Sequence, residues 1–256
     1  MSLPRFHVEH LAEGIQALPA DEARHARLAR RLSVDDRVVL FDGQGHEATA
    51  TVIACGRRAF EVQAGPVKYA PRRTPRLTLA VAMPKGPRQD MLIEKCTELG
   101  TAALVPLSSD RSVASVSAHR LSKWRQTTIA AAKQSGQAWL PELCLPMTLP
   151  ELFAEVSAFD QVLVGLSSAP AACEEARVAG ERNPPSPIID LLPVLRECTS
   201  ILGVVGPEGG WTSDEVDTLT QAGITPISLG PNILRIETAA VALATLIHAV
   251  LPRANE

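Results

Sequence analysis

The chain has 256 residues, 46% of them hydrophobic, and a formal net charge of −3. That length suits one large or two modest domains, and the apolar share is ample for a core of Leu, Val, Ile and Ala. No apolar opening segment marks a signal peptide, no apolar run reaches the roughly 20 residues of a membrane span, and the five scattered cysteines (Cys55, Cys96, Cys144, Cys173, Cys198) show no zinc spacing, so a cytoplasmic protein with reduced thiols and no metal is expected.

Residues 1–67 read as a small β-rich unit. Arg5 to Val8 is a short strand, and Asp21 to Leu32 a helix whose Arg24, Arg27 and Arg31 share one face by three- and four-residue spacing. Arg37 to Phe41 and Glu47 to Ala54 flank Asp42-Gly-Gln-Gly45, a hairpin signal, and Ala59 to Ala64 makes a further strand. Short strands with one helix suggest a small barrel. Lys68 to Arg76, with two prolines and four basic residues, reads as a linker. The division expected is therefore 1–70 and 71–256.

From Leu77 the pattern changes to strand–helix alternation. Leu77 to Ala82 is a strand. Asp90 to Leu99 is a helix with Ile93, Cys96 and Leu99 on one face and Gly100 after its end. Ala102 to Leu107 is a strand, His119 to Ser135 a helix closed by Gly136, Leu149 to Val156 a short helix, and Gln161 to Leu166 a strand. The Ala- and Pro-rich residues 167–187 read as a loop. Such alternation argues an α/β fold with a mostly parallel sheet and helices on both faces.

The last fifty residues carry two strand–glycine loop–helix units in succession. Ile201 to Val205 is a short, continuously apolar strand that runs into Gly206-Pro-Glu-Gly-Gly210, and Thr212 with Glu215 forms a capping box. Pro226 to Leu229 is the second strand, Gly230 to Ile236 its loop, and Glu237 to Val250 a helix apolar almost all round, hence buried or shared with a partner. Two bare backbone loops at the C-terminal ends of strands are where ligands bind in open parallel sheets. The first strand of this domain ends in Met83-Pro-Lys-Gly86, so the Gly-x-Gly-x-x-Gly of an ordinary dinucleotide site is missing, as is the Walker pattern.

Charge is uneven. Residues 1–76 hold 12 Lys/Arg against 9 Asp/Glu, and residues 77–256 hold 13 against 19. The basic excess clusters at Arg24, Arg27, Arg30 and Arg31, then Arg57, Arg58, Arg72, Arg73 and Arg76, a modest footprint for a nucleic acid or a solvated arginine face. The six histidines show no triad or metal spacing; His7 and His10 read as packing and surface residues, and His25 lies on the arginine-bearing helix.

The stretch Gly206-Pro-Glu-Gly-Gly210, followed by Leu229-Gly-Pro-x-Ile-Leu-Arg-x-Glu-Thr238, resembles the signature of the small-subunit ribosomal RNA methyltransferase E family, of the SPOUT superfamily. Pro4-Arg5-Phe6-His7, His25-Ala-Arg27 with Arg30, Lys85-Gly86 and Ile93-Glu-Lys-Cys-Thr-Glu-Leu-Gly100 extend the resemblance along nearly the whole chain. Trp211 stands where Phe or Leu is common, and Ile236 where the family usually has Thr.

The resemblance implies an N-terminal PUA-like β-barrel that binds RNA, then a SPOUT domain with a deep trefoil knot, a topology that ordinary chain-threading rules would argue against. It implies transfer of a methyl group from S-adenosylmethionine to a uridine N3 of 16S rRNA, on the assembled small ribosomal subunit, by a homodimer joined through the C-terminal domain. It assigns the cofactor to Val164-Gly165-Leu166, to Gly206, Pro207, Glu208, Gly209 and Gly210, and to Leu229, Gly230, Ile233 and Leu234. Arg235 would orient or stabilise the uridine, Glu237 would support it, and Glu208 would favour the sulfonium charge. RNA contact would come from Arg5, Arg24, Arg27, Arg30 and Arg31, with Lys85 and Arg88 near the cleft. Two other readings stay open: a non-catalytic RNA-binding assembly factor using the barrel alone, and a nucleotide-binding metabolic enzyme.

Overall fold

A computed structural model describes residues 3–56, 59–108, 116–166, 185–212, 214–215, 218–219 and 222–249. The Arg57–Arg58 pair, Cys173, most of the expected Ala/Pro-rich loop and Val250 at the expected end of the last helix lie outside them. The chain divides into two compact units, one of Met1–Arg72 with Thr128–Leu140, the other of Arg73–Thr127 with Pro141–Glu256.

The first unit opens with strands β1 (Arg5–His7) and β2 (Gly14–Ala17), helix α1 (Ala20–Leu28), and strands β3 (Arg37–Phe41), β4 (His46–Cys55), β5 (Phe60–Ala64) and β6 (Lys68–Tyr69). They form a six-stranded sheet in the order β1-β3-β4-β5-β2, with β6 beside β4. The expected hairpin is β3–β4, and Gly43 and Gly45 take positive φ in its turn. Phe6, Leu40, Val52, Phe60 and Val62 are fully buried, and α1 closes over them with Ala23 and Ala26.

Two expectations for this unit need correction. The helix ends at Leu28, not at Leu32. Leu32 donates its backbone N–H to the Ala26 carbonyl (3.1 Å) and Arg31 takes φ 52°, the left-handed closing position that glycine usually fills. The arginine stripe therefore stops at Arg27. Strands β2 and β6 were not expected; the first is a half-exposed Gly-Ile-Gln-Ala edge and the second is two residues long, so neither carries an apolar pattern.

Thr128–Leu140 belongs to this unit through contacts that no local pattern announces. Phe41, Ala132 and Leu140 form a small core, and Lys133 Nζ meets Glu22 Oε2 at 2.6 Å with both side chains largely buried.

The second unit contains β7 (Arg76–Val81), α2 (Arg88–Glu98), β8 (Ala103–Ser108), the start of α3 (Ala118–Ser135), β9 (Glu142–Leu143), β10 (Met147–Thr148), α4 (Leu149–Ala154), β11 (Gln161–Gly165), β12 (Ser186–Pro187), α5 (Ile188–Leu195), β13 (Ser200–Val205), β14 (Thr225–Ser228) and α6 (Ile236–His248). Its sheet runs β10-β8-β7-β13-β11-β14-β12, with β9 beside β8, and every pairing is parallel.

Both faces of this sheet are covered, which is why its strands read as unbroken apolar runs. Leu77, Leu79, Val81, Leu163, Ile201 and Val205 face α2, α5 and α6. Ala80, Val164, Leu202 and Val204 face the other way, toward Leu149 and Leu152 of α4 and toward Leu219. A Cβ on Gly203 would stand 2.6 Å from Leu243 Cδ2 and 3.0 Å from Leu79 Cδ2, so its bareness lets α6 sit close on β13. At the N-terminal edge, Asp160 joins β11 to β13: its Oδ2 accepts from Thr199 N (2.7 Å), Thr199 Oγ1 (2.8 Å) and Ser200 N (3.0 Å). Among the described residues no helix is long and apolar enough to cross a membrane, and no group of three or more His, Cys, Asp or Glu could hold a metal.

Candidate active site

Strands β7, β13, β11 and β14 lie side by side, and their register brings their C-terminal ends into line: Val81 pairs with Val205, Val205 with Gly165, and Gly165 with Ile227. The pairing continues just past the strands, with Ala82 N donating to Val205 O and Leu166 N to Ile227 O, both at 2.9 Å. The chain segments after these four strands therefore leave the sheet along one edge. All three stretches expected to hold a cofactor are among them, and the Met83–Gly86 loop joins them.

The loop after β13 is built on bare backbone. Gly206 faces the Trp211 ring so closely that a Cβ would stand 2.5 Å from the indole carbons. Gly210 N closes a turn onto Pro207 O (2.9 Å), and Gly210 takes φ 70° with nothing within 4 Å of a would-be Cβ. The expected capping box follows: Thr212 N donates to Glu215 Oε2 (2.7 Å) and Glu215 N to Thr212 Oγ1 (3.2 Å). Pro207 is buried, while Glu208, Gly209 and Gly210 are exposed.

In the loop after β14, Ser228 Oγ donates to Gly230 O (3.1 Å), and Gly230 has φ 135° with open space where a side chain would be. Leu229 and Leu234 are half-buried, and Ile233 is 74% exposed, unusual for an isoleucine in a loop. Val164 is buried, with Gly165 and Leu166 half-buried at the end of β11, between β13 and β14. Bare backbone, open space and uncovered apolar side chains together form a cradle fit for a flat, partly apolar ligand.

The charged side chains converge here. Arg88, the first residue of α2, donates from Nη1 to Glu208 Oε1 at 2.8 Å, and its Nε stands 3.6 Å from Glu237 Oε1. Glu237, in the first turn of α6, is 5% exposed, and its Oε2 has no hydrogen-bond partner among the described residues. A buried carboxylate oxygen left without a partner among the described residues, beside exposed glycine loops, is a functional-site signal. Arg235 is the N-cap of α6, extended (φ −67°, ψ 156°) and exposed. The structure thus puts Arg88, expected to touch RNA, into one cluster with Glu208 and Glu237. A cation in a helix's first turn opposes the helix dipole, the one local hint that Arg88 answers to acids elsewhere.

Gln89, missed in the sequence, is 2% exposed, and its Oε1 accepts from Arg120 of α3. Lys85 is exposed on the loop after β7.

The remaining expected RNA contacts lie in the first unit and differ in character. Arg5 is packed within it: its side chain is 12% exposed, its guanidinium bonds Glu47 Oε2 (3.2 Å) and Gln137 O (3.0 Å) and lies 5.0 Å from the Phe41 ring centre. That is a structural role, not a surface presented to RNA. Arg24 pairs loosely with Asp21 (3.7 Å), Arg27 Nη1 donates to Gly56 O (2.6 Å), and Arg30 and Arg31 are exposed beyond the helix end. His25 packs edge-on against Phe6; burial, then Lys133, pushes its pKa below the usual value.

Comparison with known proteins places these features. Residues 71–248 match the RNA methyltransferase domain family, and residues 18–64 match the RNA methyltransferase PUA domain family. The ribosomal RNA small subunit methyltransferase E of Mycobacterium bovis is 34% identical, covering 92% of this chain and 87% of that protein. The enzyme of the same name from Bacillus subtilis is 28% identical over 93% of each. The crystal structure of the Neisseria gonorrhoeae ribosomal RNA small subunit methyltransferase E, bound to S-adenosyl methionine, superimposes with a TM-score of 0.79 at 26% identity, covering 97% of this chain and 98% of that one. By these likenesses, which run almost from end to end, the chain belongs to the ribosomal RNA small subunit methyltransferase E family.

Proposed function

We propose that this chain methylates N3 of one uridine in 16S rRNA, using S-adenosylmethionine, with the assembled small ribosomal subunit in the cytoplasm as its substrate. The observation that carries the proposal is the row of bare loops on one sheet edge, with the Arg88–Glu208–Glu237 cluster at its mouth. The open Cβ positions at Gly210 and Gly230 and the exposed Ile233 fit a nucleoside-bearing cofactor.

In this reading Val164, Gly165 and Leu166, Gly206 to Gly210, and Leu229 and Gly230 hold the cofactor through backbone N–H and C=O groups, and Ile233 and Leu234 flank its adenine. Bound there, S-adenosylmethionine supplies an electrophilic methyl group on a cationic sulfur. Glu208 favours that positive charge. Uridine N3 would give its proton to water, Arg235 at the α6 N-cap would stabilise the negative charge that spreads to the uridine oxygens, and N3 would take the methyl group as the electron pair of the broken C–S bond returns to sulfur. Glu237 supports this arrangement through Arg88.

The first unit, read as a PUA-like RNA-binding barrel over residues 1–70, brings the substrate with Arg24, Arg27, Arg30 and Arg31, and Lys85 adds a cation near the cleft. The domain over 71–256 carries a trefoil knot in this reading. Its support is the strand order: β14 lies between β11 and β12, both formed earlier in the chain. The half-exposed outer side of α6, with Val241, Ala242 and Leu246, suits a homodimer contact.

The test is methyl transfer. The protein is incubated with labelled S-adenosylmethionine and small subunits from cells lacking this enzyme, and the digested RNA is analysed by mass spectrometry. 3-Methyluridine is the expected product. Cofactor binding without product would move the target to another RNA; RNA binding without cofactor binding would leave the assembly-factor reading.

A further inference from the structure

The first unit carries a compact aromatic and cationic cluster that lies apart from the arginines of α1. Tyr69 is 59% exposed on the two-residue strand β6, although its backbone is fixed opposite His46 of β4. The His46 ring lies 5.2 Å from the Tyr69 ring, and the Trp139 ring meets Tyr69 edge-on at 5.9 Å.

Each neighbour is itself held. Trp139 Nε1 donates to Ala70 O at 2.7 Å, and a Cβ on Gly45 would stand 2.5 Å from its ring, so the glycine makes room for the indole. His46 Nδ1 lies 2.7 Å from Asp42 Oδ2. The Arg72 guanidinium lies 4.3 Å from the Trp139 ring centre, and Lys68, next to Tyr69, is exposed. The acids nearby are engaged, Asp42 with His46 and Glu47 with Arg5. What remains outward is a tyrosine ring on a rigid base with the exposed Lys68 beside it.

We propose that this face is a stacking platform for an unpaired nucleobase of single-stranded RNA, Tyr69 carrying the base while Lys68 meets the adjoining phosphate. The chemistry is general: every base has a π face, and single-strand sites combine exposed aromatic rings with cations that follow the backbone. A duplex keeps its bases stacked internally and offers the ring nothing. The proposal rests on RNA being this chain's substrate and adds where an unpaired segment is gripped.

The test uses the full chain, a fluorescein-labelled oligouridine and an RNA duplex, with fluorescence anisotropy. Tyr69→Ala should weaken oligouridine binding about tenfold or more, the worth of one base–aromatic stack. Tyr69→Phe, which keeps the ring, should bind as wild type does, and neither change should alter duplex affinity. Lys68→Ala should lower the slope of log affinity against log salt by about 0.7, whereas Tyr69→Ala should leave it alone. Tyr69→Leu, which keeps apolar bulk at this position, controls for loosening of β6 and should lose binding as Tyr69→Ala does.

Unchanged oligouridine affinity in Tyr69→Ala, or an equal loss on the duplex, would overturn the platform. Methyl transfer is followed in parallel. Active wild-type protein whose RNA binding ignores Tyr69 removes the platform alone; inactive protein whose oligouridine binding needs Tyr69 removes the proposed reaction alone.

Discussion

Arg88 Nε stands 3.6 Å from Glu237 Oε1, so the first residue of α2 is the cation that faces a buried carboxylate in the first turn of α6. The same guanidinium holds Glu208 at 2.8 Å and thereby ties the loop after β13 to two helix N-termini. Removing the cation leaves a carboxylate that is 5% exposed and whose second oxygen has no partner among the described residues. Arg88→Met should therefore cost about 1–2 kcal/mol, below the figure for a fully buried pair because the guanidinium is partly solvated. Glu237→Gln, which removes the charge itself, should cost less. The double variant should be more stable than the sum of the two predicts, and urea denaturation of the four proteins measures the coupling. Strict additivity would show that the two side chains do not share an interaction.

The proposed cofactor cradle makes a second prediction. The Trp211 ring occupies the space a Cβ on Gly206 would need. Gly206→Ala must push the indole aside and with it the loop that carries Glu208 to Gly210. S-adenosylmethionine binding, followed by calorimetry, should fall about tenfold or more, since a shift of 1.4 kcal/mol already does that. Trp211→Leu alone should bind nearly normally, and adding it to Gly206→Ala should recover part of the loss. No recovery would mean that the alanine acts on the backbone or the ligand directly.

Much of this architecture was legible because it is local. The apolar run over 201–205 became the fully buried β13, Gly100 and Gly136 took the left-handed conformations that end helices, and Thr212 with Glu215 made the capping box that their spacing suggests. What escaped depends on partners far along the chain. Arg88 meets Glu208 across 120 residues, and Arg5 meets Gln137 across 132. Nothing local tells whether Arg5 will be buried against an acid or left to RNA, and for Arg88 the only hint is its place at a helix start, so the expectation of RNA contact says nothing of the carboxylates that both meet. Arg31 misled for another reason: a left-handed closing residue is expected to be glycine, and an arginine there hides the helix end.

Alkaline pH supplies a third test. Cys96, fully buried on α2 beneath the sheet, has its thiol pKa pushed up to about 12 by burial, against a model-compound value of 9.0. The unfolded chain loses this proton near its ordinary value while the folded chain keeps it. Stability from Cys96 is therefore complete below about pH 9 and is lost as pH rises toward 12, with a slope of up to about 1.4 kcal/mol per unit. Cys96→Ala should be somewhat less stable at neutral pH yet show a shallower alkaline decline. In the native protein Cys96 should resist alkylation under mildly basic conditions that modify the exposed Cys55. Equal alkaline slopes for the variant and the wild type would remove Cys96 as the source.

The close approach of α6 to the sheet decides where Arg235 and Glu237 stand, and Gly203 sets that approach. Its missing Cβ leaves room for Leu243 Cδ2, which would lie 2.6 Å from an alanine methyl, with Leu79 Cδ2 at 3.0 Å on the other side. Neither leucine can yield freely, since both are fully buried in the same core. Gly203→Ala should therefore overpack the helix–sheet contact and cost about 1–3 kcal/mol. Leu243→Val removes the Cδ atoms that meet the new methyl; by itself it should destabilise, but combined with Gly203→Ala it should do less harm than the two costs added. The strain should also reach function, because lifting α6 moves Glu237 away from Arg88 while the loop after β13 stays in place. Methyl transfer in Gly203→Ala should thus fall more than cofactor affinity does, and the Leu243→Val partner should restore both. If stability falls but transfer is unchanged, α6 can shift without disturbing Arg235 and Glu237, and their assignment to the reaction fails.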